Sequence, residues 1–201
     1  MATTPKPYLS YSQLSTLEFS EEKYIQSYIW NNRSADNDFL KLGKKLAVAL
    51  ENRELEDEDW IESIKKQMPD YPKREYKINA NLQEIPLFGI FDGYDPIKRR
   101  LGEYKTGLKP NLKGWTNQML FYSLLIWLKE EYLPTEIKVF WAKTKWSDDG
   151  QLIFSGEIKE YDIEIEMKDV IKFVPRIARA WFRIKKLCEI ERQKFGKLPF
   201  D

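Results

Sequence analysis

Apolar and polar residues recur along this chain with two different periods, which divide it into helical and strand-forming stretches. Residues 10–67 have apolar positions at loosely helical spacing, with Ser10 or Ser12 as the candidate cap of a first helix. This part predicts three helices: the first breaks near residues 19–20, the second ends near Glu51, and the third is acidic.

Residues 74–106 change to short alternating runs separated by turn residues, and we expect three consecutive antiparallel strands there. The stretch 113–131 is apolar around much of its circumference, which predicts a helix buried against the sheet. Two more strands follow over 137–163, and a long basic helix over 167–195 closes the chain. This order predicts one α/β or α+β domain over residues 1–201.

The composition removes most of the familiar catalytic chemistries. The 201 residues include no His and only one Cys. Without His there is no Ser-His-Asp or Cys-His nucleophile system, no imidazole base and no His-bound zinc. An enzyme of this composition must use carboxylates, Lys, Tyr, Ser or Thr, or a hard cation such as Mg²⁺.

Two features bear on location. The first residues lack the positive end and apolar run of a signal peptide, and the longest strongly apolar stretch, 119–128, is too short to span a bilayer. Together with the lone Cys, they predict a cytoplasmic protein that does not associate with membranes.

Three charged residues form the candidate catalytic group. Asp92 ends one predicted strand, and Glu103 and Lys105 lie on the next. If a hairpin joins these strands, the two carboxylates come from neighbouring strands, and Glu103 and Lys105 point to the same face. Two carboxylates suit a Mg²⁺ ion, and the Lys could orient a water molecule or stabilise developing charge.

The Glu-x-Lys pattern alone does not select this position, because the chain contains six copies of it. What distinguishes Glu103 is Asp92 on the preceding strand, the buried helix that follows, and four glycines that would let the backbone approach a ligand: Gly89, Gly93, Gly102 and Gly107. The alternative, ordinary strand-end charges with an exposed Glu–Lys pair, remains open at this point.

Three ordered motifs resemble the RecB-like branch of the PD-(D/E)xK nuclease superfamily, which includes the CRISPR-associated RecB-like exonucleases: Gly89-x-x-Asp92, Glu103-x-Lys105-Thr106-Gly107 and Gln118-x-x-x-Tyr122. The opening Ser10-Tyr11-Ser12 is similar to that branch's N-terminal helix, and residues 43–51 are similar to its first-helix motif. The resemblance covers roughly residues 8–130. It implies a restriction-endonuclease-like core in which helices flank a central mixed five-stranded sheet.

The resemblance also implies roles for individual residues. The implied site for Mg or Mn comprises Glu51, Asp92, Glu103 and Tyr104. The implied catalytic residues are Asp92, Glu103, Lys105, Gln118 and Tyr122. Gln118 and Tyr122 lie one turn apart on a helix and would support Lys105 or the nucleic-acid strand; the alternative is an exposed helix edge with Tyr122 half-buried.

Two departures from the family pattern change these expectations. Many members have a His four residues after the first-helix Gly, where this chain has Ala47. The set of metal ligands would therefore be smaller. Several relatives also have four Cys residues that hold an iron–sulfur cluster, and Cys188 alone cannot hold one, so we expect no such cluster.

The net charge of +1 conceals strong local charges. Residues 51–62 carry −6, residues 93–146 carry +5 and residues 168–197 carry +7. Basic residues recur at helical spacing in the last segment, and the candidates for phosphate contacts are Lys109, Lys113, Arg176, Arg179, Arg183 and Lys186. The alternative for this basic stripe is a solvated helix face.

The leading hypothesis from the sequence is a Mg- or Mn-dependent DNA exonuclease that acts on single-stranded or double-stranded ends. A second hypothesis is a catalytically weakened nucleic-acid-binding subunit of a DNA repair or recombination assembly. A third is a structural domain whose acidic helix docks a basic partner. The sequence leaves the oligomeric state open.

Overall fold

The computed structural model describes residues 4–33, 35, 37–54 and 57–201; residues 55 and 56 of the acidic region lie outside this part. Its strands are β1 (Leu9–Ser10), β2 (Lys73–Leu82), β3 (Ile85–Asp95), β4 (Arg100–Gly107), β5 (Glu136–Trp146) and β6 (Leu152–Asp162). Its helices are α1 (Tyr11–Phe19), α2 (Glu21–Tyr24), which continues into a π-helical turn at Ile25–Ile29, α3 (Asp38–Glu51), α4 (Asp59–Gln67), α5 (Leu112–Glu130) and α6 (Met167–Phe195).

The strands form one mixed sheet in the order β1-β3-β4-β5-β6, and β2 also pairs with β3. β2 lies along one edge of β3, and β1 and β4 pair with different parts of its other edge. β2, β3 and β4 are antiparallel in chain order, β5 runs parallel to β4, and β6 returns antiparallel to β5. The predicted α/β class, a mixed sheet flanked by helices, is confirmed. The sheet also contains β1, which the pattern does not predict because two residues show no period.

Serine side chains determine where the N-terminal helices begin. The Ser10 hydroxyl accepts a hydrogen bond from the Gln13 amide at the start of α1. The Ser20 hydroxyl accepts one from the Lys23 amide at the start of α2. Because Ser20 ends one helix and starts the next, the predicted break at residues 19–20 is confirmed.

Two hydrophobic cores lie on opposite faces of the sheet. Along β5, Val139 and Trp141 belong to the core formed with α1, α5 and α6, whereas Phe140 and Ala142 belong to the core formed with α3 and α4. Alternate residues of a strand face opposite sides, so the helices cover both faces. In the described part of the chain, no helix is both long and apolar enough to cross a membrane.

α5 lies very close to β3 because Gly89 has no side chain. A Cβ atom at Gly89 would lie 2.6 Å from Leu125 Cδ1 and 3.3 Å from the Tyr122 ring. The buried residues Met119, Leu124 and Leu125 confirm that α5 is buried against the sheet. This close approach brings the polar residues of α5 to the middle of β3 and β4.

Arg53 connects the α3–α4 layer to β4. Its guanidinium donates to the carbonyls of Lys65 (3.1 Å), Met68 (3.0 Å) and Pro69 (2.7 Å), which lie at and just beyond the end of α4. The Tyr104 hydroxyl, on β4, donates to the same Pro69 carbonyl at 2.8 Å. One charged side chain thus supplies partners for carbonyls that the helix end leaves unpaired.

Gly93 and Gly102 have a different role from the one predicted. They are direct cross-strand partners, and the Tyr71 ring lies across both. A Cβ atom would lie 2.4 Å from this ring at Gly93 and 2.5 Å from it at Gly102. The expectation that these two glycines leave room for a ligand is therefore wrong, because the buried Tyr71 occupies the space.

We expect Gly102→Ala to lower the free energy of unfolding by about 1–3 kcal/mol, because the added methyl group collides with the Tyr71 ring. The control is Gly43→Ala in α3, where the nearest atom, Thr106 Oγ1, would be 3.4 Å away. Ala suits a helix interior better than Gly, so this control should be neutral or stabilising. Urea unfolding of both variants is the measurement, and equal effects would contradict this packing.

Candidate active site

The candidate site lies where the pairing of β3 and β4 stops. The two strands pair over three positions, and Gly93 with Gly102 is the last pair before they separate. The same register, continued by one step, places Asp92 opposite Glu103. Beyond this point the edge of β3 pairs with β1 instead. Two carboxylates therefore face each other at the point of separation.

Tyr104 holds Asp92 through its main chain. The Tyr104 amide donates to Asp92 Oδ2 at 2.7 Å, across the space where the ladder between the strands is interrupted. The Tyr104 side chain points elsewhere, because its hydroxyl is bonded to Pro69. If Tyr104 contributes an oxygen to a cation, as the family resemblance implies, that oxygen is its main-chain carbonyl.

Glu103 is the centre of a short hydrogen-bond chain. Its Oε1 accepts from Lys105 Nζ at 2.5 Å and from Gln118 Nε2 at 2.7 Å. Gln118 Nε2 also donates to the Tyr122 hydroxyl at 2.9 Å. The structure thus brings these four predicted residues together, and it excludes the alternative of an exposed Glu–Lys pair because Glu103 is only 2% exposed.

The second oxygen of Glu103 has no such partner. Glu103 Oε2 is buried and accepts no hydrogen bond from the described residues. Leaving a buried carboxylate oxygen unpaired carries a substantial desolvation cost. This oxygen is therefore a position at which a cation or a hydrogen-bond donor would be stabilising.

The site shifts the pKa values of its members in a consistent direction. Burial, followed by the neighbouring Glu103 charge, raises the pKa of Asp92 well above its usual range. Burial alone would lower the pKa of Lys105, but the Glu103 and Asp92 carboxylates outweigh it and raise that pKa. Burial and the same carboxylates raise the pKa of Tyr122. Lys105 is therefore a cation at neutral pH, and the Tyr122 hydroxyl keeps its proton.

A cleft of about 320 Å³ opens between α3 and these strands, and its lining includes four acidic residues: Glu51, Glu75, Asp92 and Glu103. Glu51 is exposed at the last residue of α3, whereas Glu75 is half-buried on β2. Glu75 is not among the site residues predicted from the sequence. The available signal was the tight turn at Gln83 and Glu84, since the hairpin register it sets places Glu75 opposite Asp92.

Among the described residues, no three acidic or Cys side chains converge closely enough to enclose a metal ion. Asp92 and Glu103 are adjacent, and Glu51 stands further out on the cleft wall. Ala47 also lines the cleft, at the position where the family resemblance would place a His. The residues present thus supply two facing carboxylates and further acids nearby.

A second cavity, of about 480 Å³, lies on the other side of Lys105. Its walls include Gln118 and Tyr122 from α5 and the serines of the opening motif, Ser10 and Ser12, whose hydroxyl oxygens are 3.0 Å apart. The parallel pairing of β1 with β3 is what brings this motif to the site. Lys105 lines both cavities.

The predicted phosphate-contacting residues fall into two groups. Arg176 pairs with Glu18 through two hydrogen bonds, and Arg183 pairs with Glu21 in the same way. These two guanidinium groups are thus partly neutralised by α1 and α2. The other four are exposed: Lys109, Lys113, Arg179 and Lys186.

Comparison with solved structures places this fold among proteins described as exonucleases. A "putative exonuclease" from Eubacterium rectale matches with a TM-score of 0.64 at 11% identity, over 92% of this chain and 82% of that one. A phage-related exonuclease from Haemophilus somnus 129PT matches with a TM-score of 0.56 at 12% identity, over 90% and 83% of the two chains.

A third structure, LHK-Exo in complex with dAMP, matches with a TM-score of 0.56 at 12% identity, over 96% of this chain and 95% of that one. No family model matches the chain, and no curated protein matches it in sequence. At these identities, the comparisons establish a shared fold.

We expect Asp92→Asn to raise the free energy of unfolding of the protein in EDTA at neutral pH, by about 1 kcal/mol. The folded-state pKa of Asp92 is raised, so its ionised form destabilises the fold, and the fold gains stability as the pH falls and Asp92 is protonated. The gain from Asp92→Asn should therefore shrink in acid. Thermal melts over a pH series measure it.

Asp95→Asn, three residues further along β3, is the control of opposite sign. The Lys98 amide is the main cause that lowers the pKa of Asp95, so its contribution is present at neutral pH and lost as the pH falls through the lowered pKa. Asp95→Asn should destabilise. Destabilisation by both variants would contradict the charge arrangement described here.

Proposed function

We propose that this chain is a metal-dependent deoxyribonuclease that removes nucleotides from DNA ends. The observation that carries the proposal is the pair of facing carboxylates, Asp92 and Glu103, with Lys105 bonded to Glu103 and Glu103 Oε2 left without a hydrogen-bond partner among the described residues. The description of the structural neighbours as exonucleases, one of them in complex with dAMP, supports the same activity. The ordered motifs support placing the chain with the RecB-like branch.

The donor set suits a hard divalent cation such as Mg²⁺ or Mn²⁺. Asp92 accepts the Tyr104 amide on Oδ2, which leaves its Oδ1 for the ion. Glu103 uses Oε1 for Lys105 and Gln118, which leaves Oε2. Carboxylate oxygens are the ligands these cations prefer, and only a few protein ligands are needed when water and phosphate oxygens complete the shell. Asp92 and Glu103 would hold the ion, and the family resemblance would add Glu51 as a third carboxylate.

A bound cation would supply a polarised phosphate and a bound water of lowered pKa. Lys105 carries a positive charge at the junction of the two cavities, where it can donate to a phosphate oxygen or orient the attacking water. Its raised pKa favours this donor role over that of a base. Gln118 Nε2 donates to the Glu103 carboxylate and fixes its position, and it also donates to the Tyr122 hydroxyl, which orients the Gln118 amide.

We expect Lys105→Ala and Asp92→Asn each to lower the rate of nucleotide release by at least about 100-fold, because each removes a charged group at the reacting phosphate. The measurement is release of nucleotides from end-labelled single- and double-stranded DNA in Mg²⁺ or Mn²⁺, with closed circular DNA as a substrate that has no ends.

The chain offers a matched control in another copy of the same motif. Glu157 and Lys159 on β6 also form a Glu-x-Lys ion pair, with 2.8 Å between Lys159 Nζ and Glu157 Oε1, but they lie on the surface. Lys159→Ala should retain full activity. Full activity of Lys105→Ala would contradict the proposal, and DNA binding without cleavage under any cation would favour the nucleic-acid-binding hypothesis.

We expect the exposed lysines after β4 to bind phosphates more strongly than the paired arginines of α6. The double variant Lys109→Ala/Lys113→Ala should weaken DNA binding and reduce the slope of log affinity against log salt by about 1.5. Arg183→Ala should have a smaller effect, because Glu21 already neutralises that charge. Fluorescence anisotropy over a salt series measures both, and equal slopes in all three proteins would contradict this assignment.

A further inference from the structure

We propose that Glu75 is the third acidic side chain of the cation site, which it contacts directly or through a bound water. The inference rests on the proposed function and extends it to a residue that the family resemblance does not include. It assigns to a residue of β2 the role of third acidic side chain, which the resemblance gives to Glu51 of α3.

The hairpin of β2 and β3 determines the position of Glu75. Arg74 pairs with Gly93 and Tyr76 with Phe91, so the register places Glu75 opposite Asp92. Directly opposed residues of antiparallel strands share a face of the sheet and lie close together. Glu75, Asp92 and Glu103 thus occupy three adjacent strands on one level of the sheet, and all three line the same cleft.

The position of Glu75 suits the role better than that of Glu51. Glu51 is exposed at the final residue of α3. Glu75 is half-buried within a strand whose flanking residues are paired to β3, and it has a positive φ of 45°. Such a conformation is uncommon for Glu and is found repeatedly at functional sites.

Two independent observations indicate that a cation belongs beside these acids. The first is Glu103 Oε2, a buried oxygen that accepts no hydrogen bond from the described residues; Glu103 is only 2% exposed and belongs to the lining of the cleft. The second is the formal charge of the cleft lining. Four carboxylates face two lysines, Lys44 and Lys105, which leaves a formal charge of −2 that one divalent cation would balance.

The arrangement also explains how the site could operate without a His at position 47. A neutral imidazole there would supply one ligand from α3, on the wall of the cleft. Glu75 would supply a ligand from β2. As the side chains lie, the described acids do not enclose an ion, so Glu75 would reach it by rotation of its own side chain or through water.

The test is calorimetric titration of Mn²⁺ into the full chain without DNA. We expect Glu75→Gln to weaken Mn²⁺ binding by about 10-fold or more, the usual effect of losing a ligand or its close support. Glu75→Asp, which keeps the charge, should recover part of the affinity. Glu84→Gln is the matched control, because it removes the same charge at the exposed turn of the same hairpin.

The outcomes separate the two proposals. If the wild-type chain and Glu84→Gln bind Mn²⁺ and Glu75→Gln binds it with equal affinity, Glu75 is not part of the site, and the proposed function stands. If the wild-type chain binds no Mn²⁺, both proposals are wrong. A melting temperature for Glu75→Gln no lower than that of the wild type establishes that weaker binding is not a folding defect.

Discussion

β3 and β4 stop pairing after Gly93 and Gly102, where the register would place two carboxylates, Asp92 and Glu103, directly opposite each other. Like charges so placed repel each other, and the interrupted ladder leaves main-chain groups to be satisfied. At this point the Tyr104 amide donates a hydrogen bond to the Asp92 carboxylate, and Lys105 and Gln118 both donate to Glu103. The site and the separation of the strands are therefore one feature.

The surrounding layers hold this separation in place from both faces. On one face, the Tyr71 ring covers the glycine pair. On the same face, Arg53 and the Tyr104 hydroxyl both donate hydrogen bonds to the Pro69 carbonyl, just beyond the end of α4. On the other face, Gly89 lets α5 approach close enough for Gln118 to reach Glu103. The edge of β3 left free by β4 is taken up by β1, which brings the opening serines to the site.

The sequence is informative wherever a local pattern determines the structure. The five long strands, the helix break at residues 19–20 and the buried α5 follow from period, caps and turns, and the cluster of Asp92, Glu103 and Lys105 follows from their spacing on adjacent strands. What escapes local patterns is long-range contact. β1 is too short to show a period, and the pairing of Arg176 with Glu18 joins residues far apart in the chain.

The position of Glu75 depends on a hairpin, which is neither a purely local pattern nor a contact between distant parts of the chain. Glu75 and Lys77 form one of six Glu-x-Lys copies, so this motif alone does not identify Glu75 as a site residue. The turn at Gln83 and Glu84 nevertheless sets the register that places Glu75 opposite Asp92. The glycines show the reverse: their importance was predicted, but Gly93 and Gly102 make room for Tyr71 rather than for a ligand. A glycine in the sequence indicates that another group packs closely against the backbone, but only the fold shows that this group is the Tyr71 ring.

The proposed activity depends on a divalent cation bound between Asp92 and Glu103, where strands β3 and β4 separate. The most direct measurement is anomalous diffraction from a crystal of the full chain soaked in Mn²⁺. We expect an anomalous peak at coordination distance from Glu103 Oε2 and from a carboxylate oxygen of Asp92. A Mn²⁺ peak bound elsewhere in the cleft, with Glu103 Oε2 still without a partner, would contradict it.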